Sequence, residues 1–488
     1  MKTKHTLTTT VMTLALVSVI SGCDMNSKPA VQESTTSLPV AQAATDVQSE
    51  TVYQRGIEAA VWAMPAMSME FFWDGAFRDF KMGYNDVMAM SKPAEQHHKL
   101  LTANNVTPYI AFSLNLAQDA AVVVEIPPAG EKAVLYGNIV GAWQYEIAAV
   151  GPSGLDEGKG GKYLFLPPDF KGDVPSGYLV VKSPTYSVTA ALRSISVGGG
   201  TDEDAHAYAK GVKIYPLSEA TNPPATRFVD ASPLPWDSLP KFDLSYYEKM
   251  ANFVNREPVN EYDKVMMGML ESIGIVKGEE FNPDAKTKAA LEKAIVAAKV
   301  RMEHWWQTKT YQPYWDGSGW KLMVTDPNKI NGFTYVTDEA VWVDDRAGGL
   351  FYWGTYVPKE LGKGTFYLMG MLDADGSPLK ADGNYKLTVQ KDIPAKQFWS
   401  VIAYGMDDKA FITTKANRPG LSSYDLPNMK TNADGSVDLY FGKDAPAGQE
   451  SNWIPTGGKD FFLIFRFYGP EEPLFKKTFR LNEVQKVE

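Results

Sequence analysis

Residues 432–470, NADGSVDLYFGKDAPAGQESNWIPTGGKDFFLIFRFYGP, predict a turn, a strand, a long loop and a second strand. The turn lies at 432–435, because Asn and Asp tolerate tight backbone conformations and Gly allows a positive φ. Residues 436–441 alternate apolar and polar side chains, as a half-buried strand does. Residues 461–468 are aromatic and aliphatic apart from Arg466, which is typical of a central strand that carries one charge. The pattern predicts a β-sandwich at this end of the chain.

Length and composition bound the class of protein. The chain has 488 residues, too many for one hydrophobic core, so two domains with additional segments are expected. Its 44% hydrophobic and 22% charged residues are values of globular proteins. The formal net charge of −10 argues against a nucleic-acid partner and against charge-driven binding to anionic lipid.

The N-terminus has the pattern of a secretory leader. Two lysines precede an apolar run at 11–20 that is too short to span a bilayer, and the sequence ISGC at 20–23 follows it. The pattern resembles a bacterial lipoprotein signal, because the chain's single cysteine, Cys23, stands where the lipid is attached. We therefore expect a signal peptide over 1–22 and lipidation of Cys23. An ordinary secretory signal with an incidental cysteine is the alternative.

Residues 23–50 are expected to form a flexible tether behind the lipid. The segment is rich in Ser, Thr, Gln, Ala and Pro and has no aromatic residue, so it cannot bury a core. The lipid anchor would make the membrane a partner and place the protein in the bacterial cell envelope, facing the periplasm. Whether the inner or the outer membrane holds the anchor stays open, and so does a homo-oligomer.

The remaining chain divides into three parts by composition. Residues 51–225 open with a helix at 51–64, which Pro65 is expected to end, and continue with short β-type runs separated by Pro and Gly turns. Residues 226–310 contain a proline-rich connector and helices, and residues 311–488 return to strands and turns. The expected fold class is a β-rich multidomain α+β protein, with two β-sandwich-like domains joined by a helical segment.

The helices of the connector have recognisable start signals. Ser245 with Glu248 is predicted to form a capping box, and Asn282 with Pro283 is predicted to open a later helix. The later helix repeats apolar residues along one face. We expect these helices to pack between the two β domains.

Short motifs follow one another from about residue 52 to 470. The first set is YQRGIEAAVWAMP (53–65), NNVTPY (104–109), VVVEIPP (122–128) and SPT (183–185) ahead of Arg193. The second set is GSPL (376–379) with Tyr385, FWS (398–400) with Tyr404, NADGS (432–436), NW (452–453) with Pro455, and RFY (466–468) with Pro470. Their order resembles the paired DUF1254 and DUF1214 domains, a bacterial family named for its unknown function. The resemblance implies a β-rich two-domain fold with a jelly-roll-like C-terminal sandwich, and it implies no settled reaction.

One motif departs from the family pattern. An Asn-x-Asp-Thr sequence is common in the family, whereas this chain has Val106 between Asn105 and Thr107. The missing carboxylate weakens any acid role at that place.

Metal sites are not expected on histidine. After removal of the leader the chain has four His residues and no His-Glu-x-x-His sequence, so no cluster of imidazole ligands is evident. Calcium would need oxygen ligands at loop spacing, and 373–376 and 432–435 have suggestive acids. Both segments fit hairpin turns better, so no cofactor is predicted and calcium is the weaker alternative.

Signatures of covalent or acid–base catalysis are also weak. The chain has no Gly-x-Ser-x-Gly elbow, and its single cysteine is the expected anchor. The doublets Asp344-Asp345 and Asp407-Asp408 are adjacent in sequence, so neither is a catalytic pair by itself. We interpret them as acids at turns or strand ends, and no catalytic residue is assigned.

Arginines within apolar segments are the stronger polar signal. A buried guanidinium must be paired, so these arginines either form internal ion pairs that stabilise the fold or line a pocket for a carboxylate or sugar. In the second case Tyr109 and Trp453 would be stacking walls. The predicted ligand-binding residues are Asn105, Tyr109, Arg193, Arg346, Arg418, Trp453 and Arg466.

Two functional hypotheses follow. The first is an envelope hydrolase or lyase that acts on a sugar-like or carboxylated small molecule, with its site where the β domains meet. The second is a non-catalytic ligand-binding or structural lipoprotein. Converging carboxylates about 5–10 Å apart would support hydrolysis, whereas a wall of aromatic rings around an arginine would support binding.

Overall fold

The computed structural model of the chain describes residues 40–309, 311–323, 325–351 and 365–488. The expected signal peptide, Cys23 and the first part of the expected tether lie outside these residues. None of the helices in the described part is long and apolar enough to cross a membrane.

Strands dominate the described part of the chain, and the helices fall mainly between two groups of them. The helices are α1 (Val40–Phe80), α2 (Leu116–Asp119), α3 (Asp202–Ala209), α4 (Leu244–Arg256), α5 (Lys264–Glu271), α6 (Ala285–Thr308), α7 (Pro327–Ile330), α8 (Val343–Leu350) and α9 (Glu472–Phe475). The strands of the first group are β1 (Val87–Ala89), β2 (His98–Lys99), β3 (Tyr109–Asn115), β4 (Val122–Ile126), β5 (Ala133–Gly141), β6 (Glu146–Val150), β7 (Gly161–Leu166), β8 (Leu179–Lys182), β9 (Ser187–Ser196), β10 (Lys213–Pro216), β11 (Phe228–Val229) and β12 (Trp236–Asp237). The second group is β13 (Trp320–Leu322), β14 (Thr365–Gly370), β15 (Asn384–Val389), β16 (Ala395–Gly405), β17 (Gly420–Ser422), β18 (Val437–Gly442), β19 (Trp453–Pro455), β20 (Phe461–Pro470) and β21 (Gln485–Val487).

The first group of strands forms a sandwich. A six-stranded sheet has the order β11-β1-β3-β9-β5-β6, and a four-stranded sheet has the order β10-β4-β7-β8. Side chains from both sheets, such as Phe112, Leu192 and Phe165, form one core between them. Since successive strand residues point to opposite faces, Tyr109, Ala111 and Arg193 lie on the face that points away from this core.

The second group forms another sandwich. Its sheets have the orders β13-β14-β20-β16-β17 and β19-β18-β15-β21. The strand that contains Arg466 lies in the middle of the five-stranded sheet, as its sequence predicts. Leu463, Phe465 and Phe467 point into the sandwich core. Phe462 and Ile464 point the other way, so Arg466 shares their face. These two sandwiches confirm the expected β-rich α+β fold class.

A third core joins the outer faces of the two large sheets. It contains buried residues of α1, α4 and α6 together with Ala111 of β3 and Ile464 of β20. Residues 47–488 thus form one compact unit. The face of β3 and β9 that contains Arg193, and the face of β20 that contains Arg466, therefore border the same interior.

Four helix boundaries differ from expectation. α1 begins at Val40, inside the expected tether, where Ala, Gln and Glu favour a helix, and it continues through Pro65 to Phe80. Burial outweighs the proline: residues 59–64 are nearly inaccessible, and Gln144 Nε2 donates to the Pro65 carbonyl at 2.6 Å. The caps of α4 and α6 are Asp243 and Asp284, each two residues from the expected cap, because these carboxylates reach the first free backbone N–H groups.

His98 makes stability depend on pH. The side chain is wholly buried, Nδ1 accepts from the Glu95 backbone N–H at 2.9 Å, and Nε2 donates to the Ala231 carbonyl at 3.1 Å. Burial lowers the pKa of His98, and only the neutral ring makes both hydrogen bonds. Because the folded-state pKa lies below the unfolded value, the contribution is complete above about pH 6.5 and is lost as the pH falls from there.

We therefore expect the free energy of unfolding to fall between pH 7 and pH 5, and to fall less in a His98→Asn variant. Urea denaturation at each pH measures both slopes. Substituting the exposed His304 by Asn is the control and should keep the wild-type slope. If the two variants show the same slope, His98 is not the group responsible.

Candidate functional site

Two tyrosines flank Arg193 on the six-stranded sheet. Arg193 lies on β9, opposite Tyr109 of β3 on one side and Tyr136 of β5 on the other. Its guanidinium carbon lies 3.5 Å from the centre of the Tyr109 ring, a close cation–π stack. Each of the three residues retains some exposed surface, but Nη1 of Arg193 is itself buried.

A second arginine occupies the equivalent place on the five-stranded sheet. Arg466 of β20 lies opposite Tyr367 of β14, with its guanidinium carbon 5.2 Å from that ring. Its Nη2 donates to the Thr102 carbonyl at 3.0 Å and to the Tyr404 hydroxyl at 2.8 Å. Arg466 is only 3% exposed, so these bonds hold a buried cation in place.

The segment that precedes β3 connects the two arginines. Asn104 Nδ2 donates to the Tyr468 hydroxyl of β20 at 2.6 Å, and the Asn104 backbone N–H donates to the Tyr109 hydroxyl at 2.8 Å. Its Oδ1 accepts from the Val106 backbone N–H at 2.8 Å, which fixes the turn. One asparagine therefore holds a tyrosine from each large sheet.

We call this assembly the tyrosine–arginine site. Its members come from both large sheets and from the segment that precedes β3. Oδ1 of Asn105 is a buried oxygen without a hydrogen-bond partner among the described residues. The site consists of Asn104, Asn105, Tyr109, Tyr136, Arg193, Tyr367, Tyr404, Arg466 and Tyr468.

The charge of the site is unbalanced. In the described part of the chain no carboxylate lies within 4 Å of Arg193 or Arg466, and Nη1 of each has no hydrogen-bond partner. Burial lowers the pKa of Arg466, but the oxygens of Tyr404, Tyr468 and Tyr367 outweigh burial and raise it. The same balance, with Tyr109 first among the tyrosines, raises the pKa of Arg193. Both guanidinium groups therefore remain protonated at physiological pH.

The buried tyrosines of the site are neutral hydrogen-bonding groups. Burial raises the pKa of Tyr404 and of Tyr468, and the neighbouring Arg466 lowers them by less. Neutral phenols can donate to an anion but are poor bases. The Tyr404 hydroxyl already donates to the Ala103 carbonyl, so what the site offers an anion is chiefly its two cations, which suits recognition of a carboxylate.

Arg346 contacts a different part of the interior. It lies on α8 with 3% exposure, and Nη2 donates to the Trp62 carbonyl of α1 at 2.9 Å. Its guanidinium carbon lies 4.9 Å from the Trp143 ring. Burial lowers its pKa, and Asp263, which accepts from Trp62 Nε1 at 2.8 Å, partly offsets that effect. Arg346 therefore has its own aromatic and acidic neighbours.

Arg418 and Trp453 lie together in the C-terminal sandwich. Arg418 Nη1 donates to the carbonyls of Glu450 and Trp453, at 2.6 and 3.0 Å. Trp453 Nε1 donates to the Gly442 carbonyl at 3.1 Å. These contacts hold the loop before β19 against β18, and they do not include a residue of the tyrosine–arginine site.

Three of the four adjacent acids pair with a separate cation, and the fourth, Asp408, accepts from the Ala410 backbone N–H at 3.0 Å. Arg301 donates to Asp344 at 2.9 Å, and Lys329 donates to Asp345 at 3.0 Å. In the second doublet Asp407 pairs with Lys459 at 3.2 Å. The carboxylates of each doublet thus bond to neighbouring cations or backbone groups, and they do not form a catalytic pair across a cleft.

The two acidic turns use their carboxylates internally. Asp373 Oδ1 accepts from the backbone N–H groups of Asp375 and Ser377, and Asp434 Oδ1 accepts from that of Ser436 at 2.9 Å. In the described residues no group of three or more His, Cys, Asp or Glu side chains could hold a metal ion.

Sequence reasoning did not assign five members of the site, namely Asn104, Tyr136, Tyr367, Tyr404 and Tyr468. Three of them stand in the motifs quoted above, but the pattern does not say which tyrosines face an arginine. Cross-strand register supplies that information, because Tyr136 and Tyr367 are the direct partners of Arg193 and Arg466.

Comparison with known proteins supports the fold but not an activity. The VPA0106 protein from Vibrio parahaemolyticus, known from a crystal structure, aligns over 90% of this chain and 100% of its own at 20% identity, with a TM-score of 0.55. An uncharacterized protein from Burkholderia cenocepacia aligns over 92% of this chain and 97% of its own, at 10% identity and a TM-score of 0.38. No curated protein matches the sequence.

Family models match both sandwiches. The model of DUF1254, a protein of unknown function, matches residues 84–216, which contain Tyr109, Tyr136 and Arg193. The model of DUF1214, also a protein of unknown function, matches residues 364–472, which contain Tyr367 and Arg466. The tyrosine–arginine site thus takes one arginine from each matched region, and the chain belongs to the DUF1254/DUF1214 domain-containing proteins.

Proposed function

We propose that this protein binds a carboxylated small molecule at the tyrosine–arginine site. The observation that carries the proposal is the absence of a counter-charge: in the described residues neither Arg193 nor Arg466 has a carboxylate within 4 Å. An isolated buried cation is costly, so a bound anion would relieve the cost.

Arg193 is the anchor in this proposal. It retains some exposed surface, and its buried Nη1 has no hydrogen-bond partner among the described residues that would compete with a ligand. A guanidinium accepts a carboxylate in a bidentate geometry, and the rings of Tyr109 and Tyr136 would flank the ligand. Arg466 plays the positioning role, since Thr102 and Tyr404 already hold its Nη2.

Binding is better supported than hydrolysis. A glycoside hydrolase needs two carboxyl groups about 5–10 Å apart, and the described members of the site include none. A lyase needs a base beside the anion, and neutral phenols such as those of Tyr404 and Tyr468 are unsuited to that role. A hydrolase or lyase that acts on a sugar-like or carboxylated molecule therefore remains the alternative.

Native mass spectrometry of the purified protein, lacking residues 1–39, would test the proposal. We expect a retained small acid, or adducts on addition of acetate or butyrate, in the wild type and not in an Arg193→Met variant. Chromatography of incubated sugar acids would reveal turnover, which would favour the enzyme instead. If no acid forms an adduct with the wild type and none raises its free energy of unfolding, the proposal is overturned.

We also propose a lipid anchor on Cys23, which would place the site in the cell envelope facing the periplasm. Its support is the leader pattern and the single cysteine at its end. In the native host we expect the wild type in the membrane fraction with the mass of a lipidated protein, and a Cys23→Ala variant without the lipid. An unmodified wild-type protein in the soluble fraction would refute the anchor.

A further inference from the structure

An apolar hollow adjoins the tyrosine–arginine site on the same sheet face. Its volume is about 40 Å³, and Tyr109 forms part of its wall. The hollow exists because the side chains of Ala111 on β3 and Ala191 on β9 are small. These two residues are direct cross-strand partners, and they form the next pair on this face after Tyr109 and Arg193. The two pairs are about 7 Å apart along the strands.

The rest of the lining is mainly apolar. Met69 and Phe72 of α1 cover the hollow from above, and Met88 of β1 and Leu100 close its sides. Ser68 Oγ and Trp236 Nε1 in the lining are buried without a hydrogen-bond partner among the described residues, so the hollow offers only a few groups that could bond water. A cavity of about 150 Å³ accepts a benzene ring, so this hollow has room for roughly one or two carbon atoms.

We infer that the ligand is a carboxylate with an unbranched or short-branched alkyl arm rather than a sugar acid. The inference rests on the proposed function, since it takes Arg193 as the anchor. With the carboxylate on Arg193, an arm of four to six carbons reaches the hollow past the edge of the Tyr109 ring. Ser68 Oγ and Trp236 Nε1 could bond one or two hydroxyl groups of such an arm, and the other hydroxyl groups of a sugar acid would lose water without gaining partners.

The affinities of a series of acids test whether the ligand has an alkyl arm that enters the hollow. The probes are acetate, butyrate, hexanoate and gluconate, the last two having six carbons each, and ligand-observed NMR gives the dissociation constants. Each buried methylene is worth about a fourfold gain in affinity. We therefore expect hexanoate to bind about 4- to 15-fold more tightly than acetate, and gluconate to gain nothing over acetate.

A filled hollow should remove this preference. Ala111→Val adds two methyl groups to its floor, and hexanoate should then bind no better than acetate, while acetate binding persists. The control is Ser113→Val, two residues along the same strand and face, which fills a separate polar cavity of about 140 Å³. Ala191→Val replaces Ala111→Val if thermal unfolding shows that the first variant does not fold.

The outcomes separate the two proposals. If acids bind the wild type with equal affinity whatever their arm, or if gluconate binds as tightly as hexanoate, the alkyl arm is refuted and the carboxylate site stands. A preference that survives in both Ala→Val variants also refutes it. If no acid binds the wild type, the carboxylate site fails, and the inference fails with it.

Discussion

Replacing Arg193 by Met is expected to leave the ligand-free protein as stable as the wild type, or more stable, and to abolish carboxylate binding. The guanidinium has no carboxylate within 4 Å in the described residues, and its Nη1 has no partner, so Met removes a desolvated charge while keeping most of the apolar stem. The lost stack on Tyr109 opposes this by about 0.5–2 kcal/mol. We expect the free energy of unfolding to stay within about 1 kcal/mol of the wild type or to exceed it.

The loss of binding should be large. Two charge-assisted hydrogen bonds of about 1.5–3 kcal/mol each correspond to at least about a 100-fold loss of affinity. Urea denaturation with and without butyrate measures both quantities, because a ligand stabilises only a protein that binds it. Arg418→Met is the matched control: this arginine bonds two backbone carbonyls, so its loss should lower stability and leave butyrate binding unchanged. A loss of several kcal/mol in ligand-free Arg193→Met would make Arg193 a structural residue.

Arg466→Met should have the opposite effect on stability. Arg466 Nη2 bonds the Thr102 carbonyl and the Tyr404 hydroxyl, which join the segment before β3 to the five-stranded sheet. Loss of two charge-assisted hydrogen bonds in the interior should lower the free energy of unfolding by about 3–6 kcal/mol. Ligand affinity should fall as well, since the same segment positions Tyr109 through Asn104.

A smaller change at the same place provides the comparison. Tyr404→Phe keeps the ring but removes one acceptor of Arg466 and the donor to the Ala103 carbonyl, so it should cost about 2–4 kcal/mol. Urea denaturation of both variants, with hydrogen exchange of the backbone amide of Asn104, reports global stability and local order. If Arg466→Met unfolds like the wild type and the Asn104 amide keeps its protection, the proposed positioning role is incorrect.

Local pattern is a good guide to the strands of this protein and a poor guide to the site. The side chains of residues 461–468 point alternately into the core of the C-terminal sandwich and into the third core, which lies between the two large sheets. This alternation places Arg466 on the face that borders the third core. The meeting of Arg193 with Tyr109 depends on pairing between strands 84 positions apart in sequence, a register that no local signal sets. The meeting of the two sheets depends further on α1, α4 and α6 packing on both of them.

The difference between local pattern and tertiary contact also explains why some residues predicted from the sequence lie outside the tyrosine–arginine site. Arg346, Arg418 and Trp453 have the side chains of a pocket, but one lies on a helix against Trp62 and the others stabilise a loop of the C-terminal sandwich. Pro65 shows how packing overrides propensity, since a helix that is buried over several turns continues through it. The chemical character of each side chain can thus be predicted from the sequence, whereas the side chains that it lies next to depend on the whole fold.

The central proposal is that the guanidinium of Arg193 on the six-stranded sheet, which has no carboxylate partner among the described residues, binds an anion. A crystal structure of the protein with butyrate tests it most directly. We expect a carboxylate that accepts from Nη1 of Arg193 and is flanked by the rings of Tyr109 and Tyr136. A structure in which Arg193 bonds only to the protein, with butyrate absent or bound elsewhere, would contradict it.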